Sequence, residues 1–140
     1  MSSVVVGQTR SRLLRDPVVV GIAGVAAATL LHVRDPSVDG SYGFCPFLEL
    51  TGRPCPGCGG LRAVSALTHG DVVGALSSNL LAVALAVILI VVWAAWVVRR
   101  ARGTNAPMLV MSDRALVIVL VVALAFGVVR NLPWGAGLAP

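Results

Sequence analysis

All three cysteines of this chain, Cys45, Cys55 and Cys58, fall in one short stretch. The last two stand in the run Cys55-Pro56-Gly57-Cys58-Gly59. A Cys-Pro-x-Cys-Gly turn brings two sulfurs to one side of a tight backbone knuckle, with glycine permitting the turn. Three chemistries are open to such a set, taken here in order of weight. In an oxidising compartment Cys45 pairs with Cys55 or Cys58, closing a loop of about a dozen residues that contributes about 3 kcal/mol. The odd third thiol then stays free or pairs with another chain. Alternatively a thiophilic ion such as zinc, the one candidate cofactor, takes four ligands from Cys45, Cys55, Cys58 and His69. His32 is a weaker substitute for His69. In the third chemistry Cys55 and Cys58 exchange disulfides at a helix start, with Cys45 as resolving thiol. Against this reading, the surrounding sequence lacks the strand–helix alternation on which that motif normally sits.

The elements that must position these thiols are apolar helices. The chain has 140 residues, of which 57% are hydrophobic and only 12% charged, with a mean hydropathy of +0.90. Disorder needs the opposite balance, and so few charges cannot coat a soluble domain. Eleven arginines, no lysine and six acids give a formal charge of +5. The arginines fall between apolar runs rather than on one face, which argues against nucleic acid as a partner and for a topology signal. The richness in Ala, Val, Gly and Arg suggests a bacterial source.

Three apolar runs predict an all-α integral membrane protein. Residues 16–33 form the first transmembrane helix, with Asp16 as its cap and Pro17 at its first position. Residues 72–98 form the second, and its stretch from Leu80 to Val98 has no charged or amide side chain. Residues 115–130 form the third, short and bracketed by Arg114 and Arg130, which can snorkel outward. The arm 1–15 and the linker 99–114 hold seven of the arginines, so both are assigned to the cytoplasm of a bacterial plasma membrane. The cysteine loop 34–71 and the tail 131–140 then face outward. Trp93, Trp96 and Trp134 lie where aromatic belts form. A cleavable signal peptide is the rival reading of the first run, with Ala26-Ala27-Ala28 as its small-residue site. The apolar stretch before that triplet is short, and apolarity continues beyond it.

A short helix, 59–69, follows the knuckle and lies in the interface or re-enters the membrane. Leu61, Val64, Leu67 and Thr68 share its apolar face. Gly59 opens it, Gly70 supplies a left-handed stop, and Asp71 caps the next helix. Its N-terminal amides are expected to favour thiolate at Cys58 or Cys55. With these residues in place, the run Cys45-Pro46, Thr51-Gly52, Cys55-Pro56-Gly57-Cys58-Gly59, Leu61-Arg62-Ala63 and Gly70-Asp71 resembles the DUF2752 family of small bacterial membrane proteins. The Arg130-Asn131 pair is similar to that family's end. Leu61 stands where many members have threonine, and Leu80 follows Asn79 where proline is frequent. The resemblance implies membership and no particular activity.

Arg62, Arg130 and Asn131 form the remaining polar set. Arg62 can find Glu49, Asp71 or Asn131 as a partner or reach a headgroup phosphate, and both arginines can share an anionic ligand. No Gly-rich phosphate loop, Ser/His/acid set or paired carboxylates are visible. The leading reading is a non-catalytic assembly or partner-binding protein with an outward cysteine loop stabilised by a disulfide or a metal. Its partners are the bilayer and either another membrane protein or a second copy of the chain. A membrane thiol–disulfide oxidoreductase using the Cys-Pro-Gly-Cys motif is the alternative.

Overall fold

A computed structural model describes residues 2–36, 42, 45–105, 107–133 and 135, with backbone alone for 2–11. Its described residues form five helices and no strand: α1 (Ser2–Val33), α2 (Pro46–Thr51), α3 (Gly60–Thr68), α4 (Val72–Ala101) and α5 (Asp113–Val129). Two stretches, Arg12–Val33 of α1 and all of α4, are long and apolar enough to cross a membrane. Trp134 and Asp39 lie outside the described residues.

The chain divides into two compact units, 1–27 with 87–110 and 28–86 with 111–140. In the first unit, α1 starts at Ser2 and not at Asp16, so Pro17 is an interior residue. A proline inside a helix removes the amide that would bond the carbonyl four residues earlier. That carbonyl belongs to Leu13, and Arg100 Nη1 supplies a donor to it at 3.5 Å. The same guanidinium pairs with Asp16 at 3.4 Å and lies over the Trp96 ring. Trp93 Nε1 donates to the Pro17 carbonyl at 2.9 Å. Asp16 is thus an ion-pair partner of Arg100 rather than a helix cap.

In the second unit, the core is Ala63 of α3 against Ala75 and Val83 of α4, with Ala66, Leu67 and Ala82 packed beside it. Small side chains let the backbones approach closely, the packing that helices use where burying bulk gains little. The expected apolar face of α3 is corrected accordingly: Leu61 is 46% exposed, whereas Ala63 and Ser65 are buried. Ser65 Oγ donates to the Leu31 carbonyl at 2.9 Å, satisfying one of the last acceptors of α1. α3 ends in a Schellman turn, with Asp71 N–H donating to the Ala66 carbonyl, Gly70 N–H to that of Leu67, and Gly70 left-handed.

α4 is not continuous. Asn79 adopts extended angles (φ −166°, ψ 98°), which breaks the helix after its first two turns. Its side-chain oxygen accepts from Ala82 N–H at 2.9 Å, so Asn79 caps the long second arm. Ser112 caps α5 in the same way through Ala115 N–H. The loop before the knuckle holds a helix that hydrophobic spacing does not reveal. α2 has Cys45 as N-cap and Pro46 in its first turn, and Gly52 ends it in the left-handed conformation.

Candidate functional site

The knuckle from Pro54 to Cys58 contains two prolines, and each of its five backbone carbonyls has a donor. Asn131 Nδ2 donates to Pro54 O at 3.0 Å. Arg130 Nη1 donates to Cys55 O at 2.9 Å and to Cys58 O at 3.0 Å. Asn79 Nδ2 donates to Pro56 O at 2.9 Å and to Cys58 O at 3.0 Å. Gly60 N–H closes the turn onto Gly57 O. Gly59 stands at φ 80°, a conformation that side chains disfavour, and turns the chain directly into α3. Behind the knuckle, a Cβ at Gly127 of α5 would lie 2.8 Å from Pro56 Cγ, so only glycine admits this approach.

That frame and the N-terminus of α2 bring the three thiols together. Cys55 Sγ lies 3.2 Å from Cys58 Sγ and 3.5 Å from Cys45 Sγ, and all three sulfurs fall within 4.8 Å of one another. They are unbonded thiols, each half-buried. Cys58 Sγ also accepts from Cys55 N–H at 3.2 Å. A tetrahedral ion with sulfur at 2.3 Å requires sulfurs roughly 3.8 Å apart, so the Cys55 pairs at 3.2 and 3.5 Å would open by a few tenths of an ångström to admit one.

The protonation pattern differs from the expected one. Burial, reinforced by hydrogen bonding to Cys55 and Cys45, pushes the Cys58 thiol up to about 12. The Leu48 amide at the start of α2, then contacts with Cys58 and Cys55, hold the Cys45 thiol below its ordinary value. Thiolate is therefore favoured at Cys45 and opposed at Cys58. Burial is the dominant reason at Cys58, and one amide at the start of α3, Gly60 N–H, is already taken by Gly57 O.

His69 does not join the thiols, and among the described residues no histidine or carboxylate does. It follows nine helical residues, roughly 13 Å from the start of α3 at 1.5 Å per residue. Instead it stacks on His32, with ring centroids 4.0 Å apart. Its Nδ1–H donates to Ser65 O at 2.9 Å, while Thr68 Oγ1, itself donating to Ser65 O, accepts from His32 Nδ1–H at 3.2 Å.

The two arginines are used differently. Arg130 is 1% exposed, and its Nε and Nη2 are buried without a hydrogen-bond partner among the described residues. Burial, with the nearby charge of Arg62, lowers the affinity of this guanidinium for its proton, and negative charge on Cys58 or Cys55 would oppose that effect. Arg62, in contrast, lines a polar cavity with Asp35, His69 and Asp71. Glu49 is exposed on α2. Asn79 and Asn131, which hold the frame, carry a weak sequence signal: an amide next to an apolar helix arm with no solvent role to fill.

These features define an all-helical protein with two helices of membrane-crossing length and a three-thiol cluster on a clamped knuckle. The model of the family described as "Protein of unknown function (DUF2752)" matches residues 45–93, and this cysteine segment of the chain belongs to that family. The match ends at Trp93, so the likeness of Arg130-Asn131 to the family's end lies beyond it. No curated protein and no solved structure matches the chain.

Proposed function

We propose that the protein is a small non-catalytic membrane protein whose outward cysteine loop binds a thiophilic divalent ion, of the zinc class, through Cys45, Cys55 and Cys58. The ion ties the helix ends together into a docking face for a membrane partner. One observation carries this reading: a buried guanidinium whose Nε and Nη2 have no hydrogen-bond partner among the described residues, beside three convergent sulfurs. A buried, uncompensated cation is strongly destabilising. A disulfide and a neutral thiol bring it no charge, whereas three thiolates around a divalent ion carry −1 and balance Arg130. Three protein ligands leave the fourth position to a group from outside the described residues.

The membrane placement extends to a third span. α5 has 17 residues and none is buried, and from Leu116 to Val122 every side chain is exposed and apolar. Such all-round apolarity suits lipid. The arginine distribution supports a cytoplasmic N-terminus and 99–114 linker.

Metal content and thiol count test the reading together. The protein, extracted in mild detergent without chelator, is expected to hold one zinc per chain. Maleimide mass tagging should add few tags until a chelator is supplied, then three without reductant. One tag under denaturing chelation and three only after reduction would establish a disulfide and end the metal assignment.

A second reading, thiol–disulfide exchange, is favoured by the central position of Cys55, in contact with both other sulfurs. Two thiols would pass two electrons and two protons to a substrate disulfide, which leaves as two thiols. A retained stoichiometric zinc excludes it.

A further inference from the structure

Arg62 lines a cavity of about 450 Å³ between α3 and the first turns of α4, whose lining contains none of the three cysteines. Asp35, Ser65, His69, Asp71 and Ser78 complete its polar lining. Arg62 is half-buried and makes no hydrogen bond or ion pair with the described residues. Opposite charges share this one space. A purely anionic ligand would meet the carboxylates of Asp35 and Asp71, and a purely cationic one would meet Arg62. A ligand with both an oxyanion and an ammonium suits both signs of charge, even though Asp71 Oδ1 already accepts from Gly74 N–H as the cap of α4.

The details narrow the ammonium. A quaternary ammonium is held by aromatic faces, and among the described residues the lining contains no Phe, Tyr or Trp. A primary ammonium has N–H donors for carboxylates. The surroundings narrow the source: Leu61, next in sequence to Arg62, and Val72 and Val73, next to Asp71, are exposed apolar side chains. We propose that this cavity binds a phosphoethanolamine group, its phosphate on Arg62 and its ammonium on Asp71, with the lipid headgroup as the expected source and soluble glycerophosphoethanolamine as the other. The lipid source rests on the membrane placement proposed above and is independent of the metal.

Native mass spectrometry of the full chain in detergent, with phosphatidylethanolamine, phosphatidylcholine and phosphatidylglycerol supplied equally, tests this. Phosphatidylethanolamine should be retained preferentially, and Arg62→Gln should reduce its retention about tenfold or more, the effect of removing a charge-assisted contact. Asp71→Asn should also weaken retention while leaving the helix intact, because asparagine caps as well as aspartate. Zinc content of Arg62→Gln should match the parent, which separates this site from the thiol cluster. Displacement by glycerophosphoethanolamine at comparable concentration assigns the soluble source; resistance to it assigns the lipid. Equal retention of the three lipids, or retention unchanged in Arg62→Gln, overturns the proposal.

Discussion

Asn79 is the residue on which helix geometry and the thiol knuckle depend together, and two substitutions separate its roles. Its oxygen caps the second arm of α4 at Ala82 N–H, while its amide nitrogen bridges the carbonyls of Pro56 and Cys58. Asn79→Ala removes both functions. Asn79→Ser keeps a capping oxygen but cannot reach across to the knuckle. A lost cap costs about 1 kcal/mol. Of the two carbonyls, Cys58 O retains Arg130 Nη1, so only Pro56 O is left without its donor, at about 1–3 kcal/mol. Asn79→Ser should therefore destabilise by about 2 kcal/mol and Asn79→Ala by about 3 kcal/mol. Unfolding by denaturant in mixed micelles, followed by far-UV circular dichroism, measures both, and the zinc retained per chain should fall in parallel. A serine variant with parental stability and zinc content would refute the bridging role, and equal losses in the two variants would refute the cap.

Three further expectations concern neighbouring residues. Arg130→Met leaves Cys55 O bonded to Cys58 N–H and Cys58 O bonded to Asn79, so helicity should persist while zinc affinity falls. Removing one unit charge within several ångströms is worth on the order of 2–3 kcal/mol, or roughly a hundredfold, read by competition with a chelating dye. Gly127→Ala places a methyl against Pro56 and should cost about 1–3 kcal/mol by overpacking, seen as an earlier unfolding midpoint. In metal-free protein, iodoacetamide should modify Cys45 well before Cys58. A thiol lowered from 9.0 carries more thiolate at pH 8, and one raised to about 12 carries about a thousandfold less than an ordinary cysteine. Peptide mapping across pH 7–10 reads the order, and Cys58 reacting first would contradict it.

Local rules make several parts of this chain legible from its residues alone. The all-helical class follows from apolar runs too long and too uniform for strands. The clustering of the thiols follows from a Cys-Pro-x-Cys-Gly turn and a cysteine ten residues before it. The stop at Gly70 and the cap at Asp71 are written in two adjacent side chains, because backbone sterics and one hydrogen bond decide them. The start of α1 is different. Pro17 and Asp16 carry the local signature of a helix beginning, yet Arg100, Trp93 and Leu13 convert them into the interior of a longer helix, through contacts over more than seventy residues.

The site divides along the same line. Sequence by itself determines which atoms can bind a soft metal: three sulfurs and two histidines. Only the tertiary structure decides that the sulfurs converge while His69 stacks on His32, because a rigid nine-residue helix separates the knuckle from that ring. It also decides that Arg130 bonds the knuckle's carbonyls while Arg62 lines a polar cavity, a division invisible when both are read as arginines near helix ends. Asn79 and Asn131 become significant only when the knuckle's carbonyls are counted one by one. Propensity and spacing act over a few residues, whereas the partner of a buried polar group is set by which distant backbone arrives beside it, and that is a property of the fold.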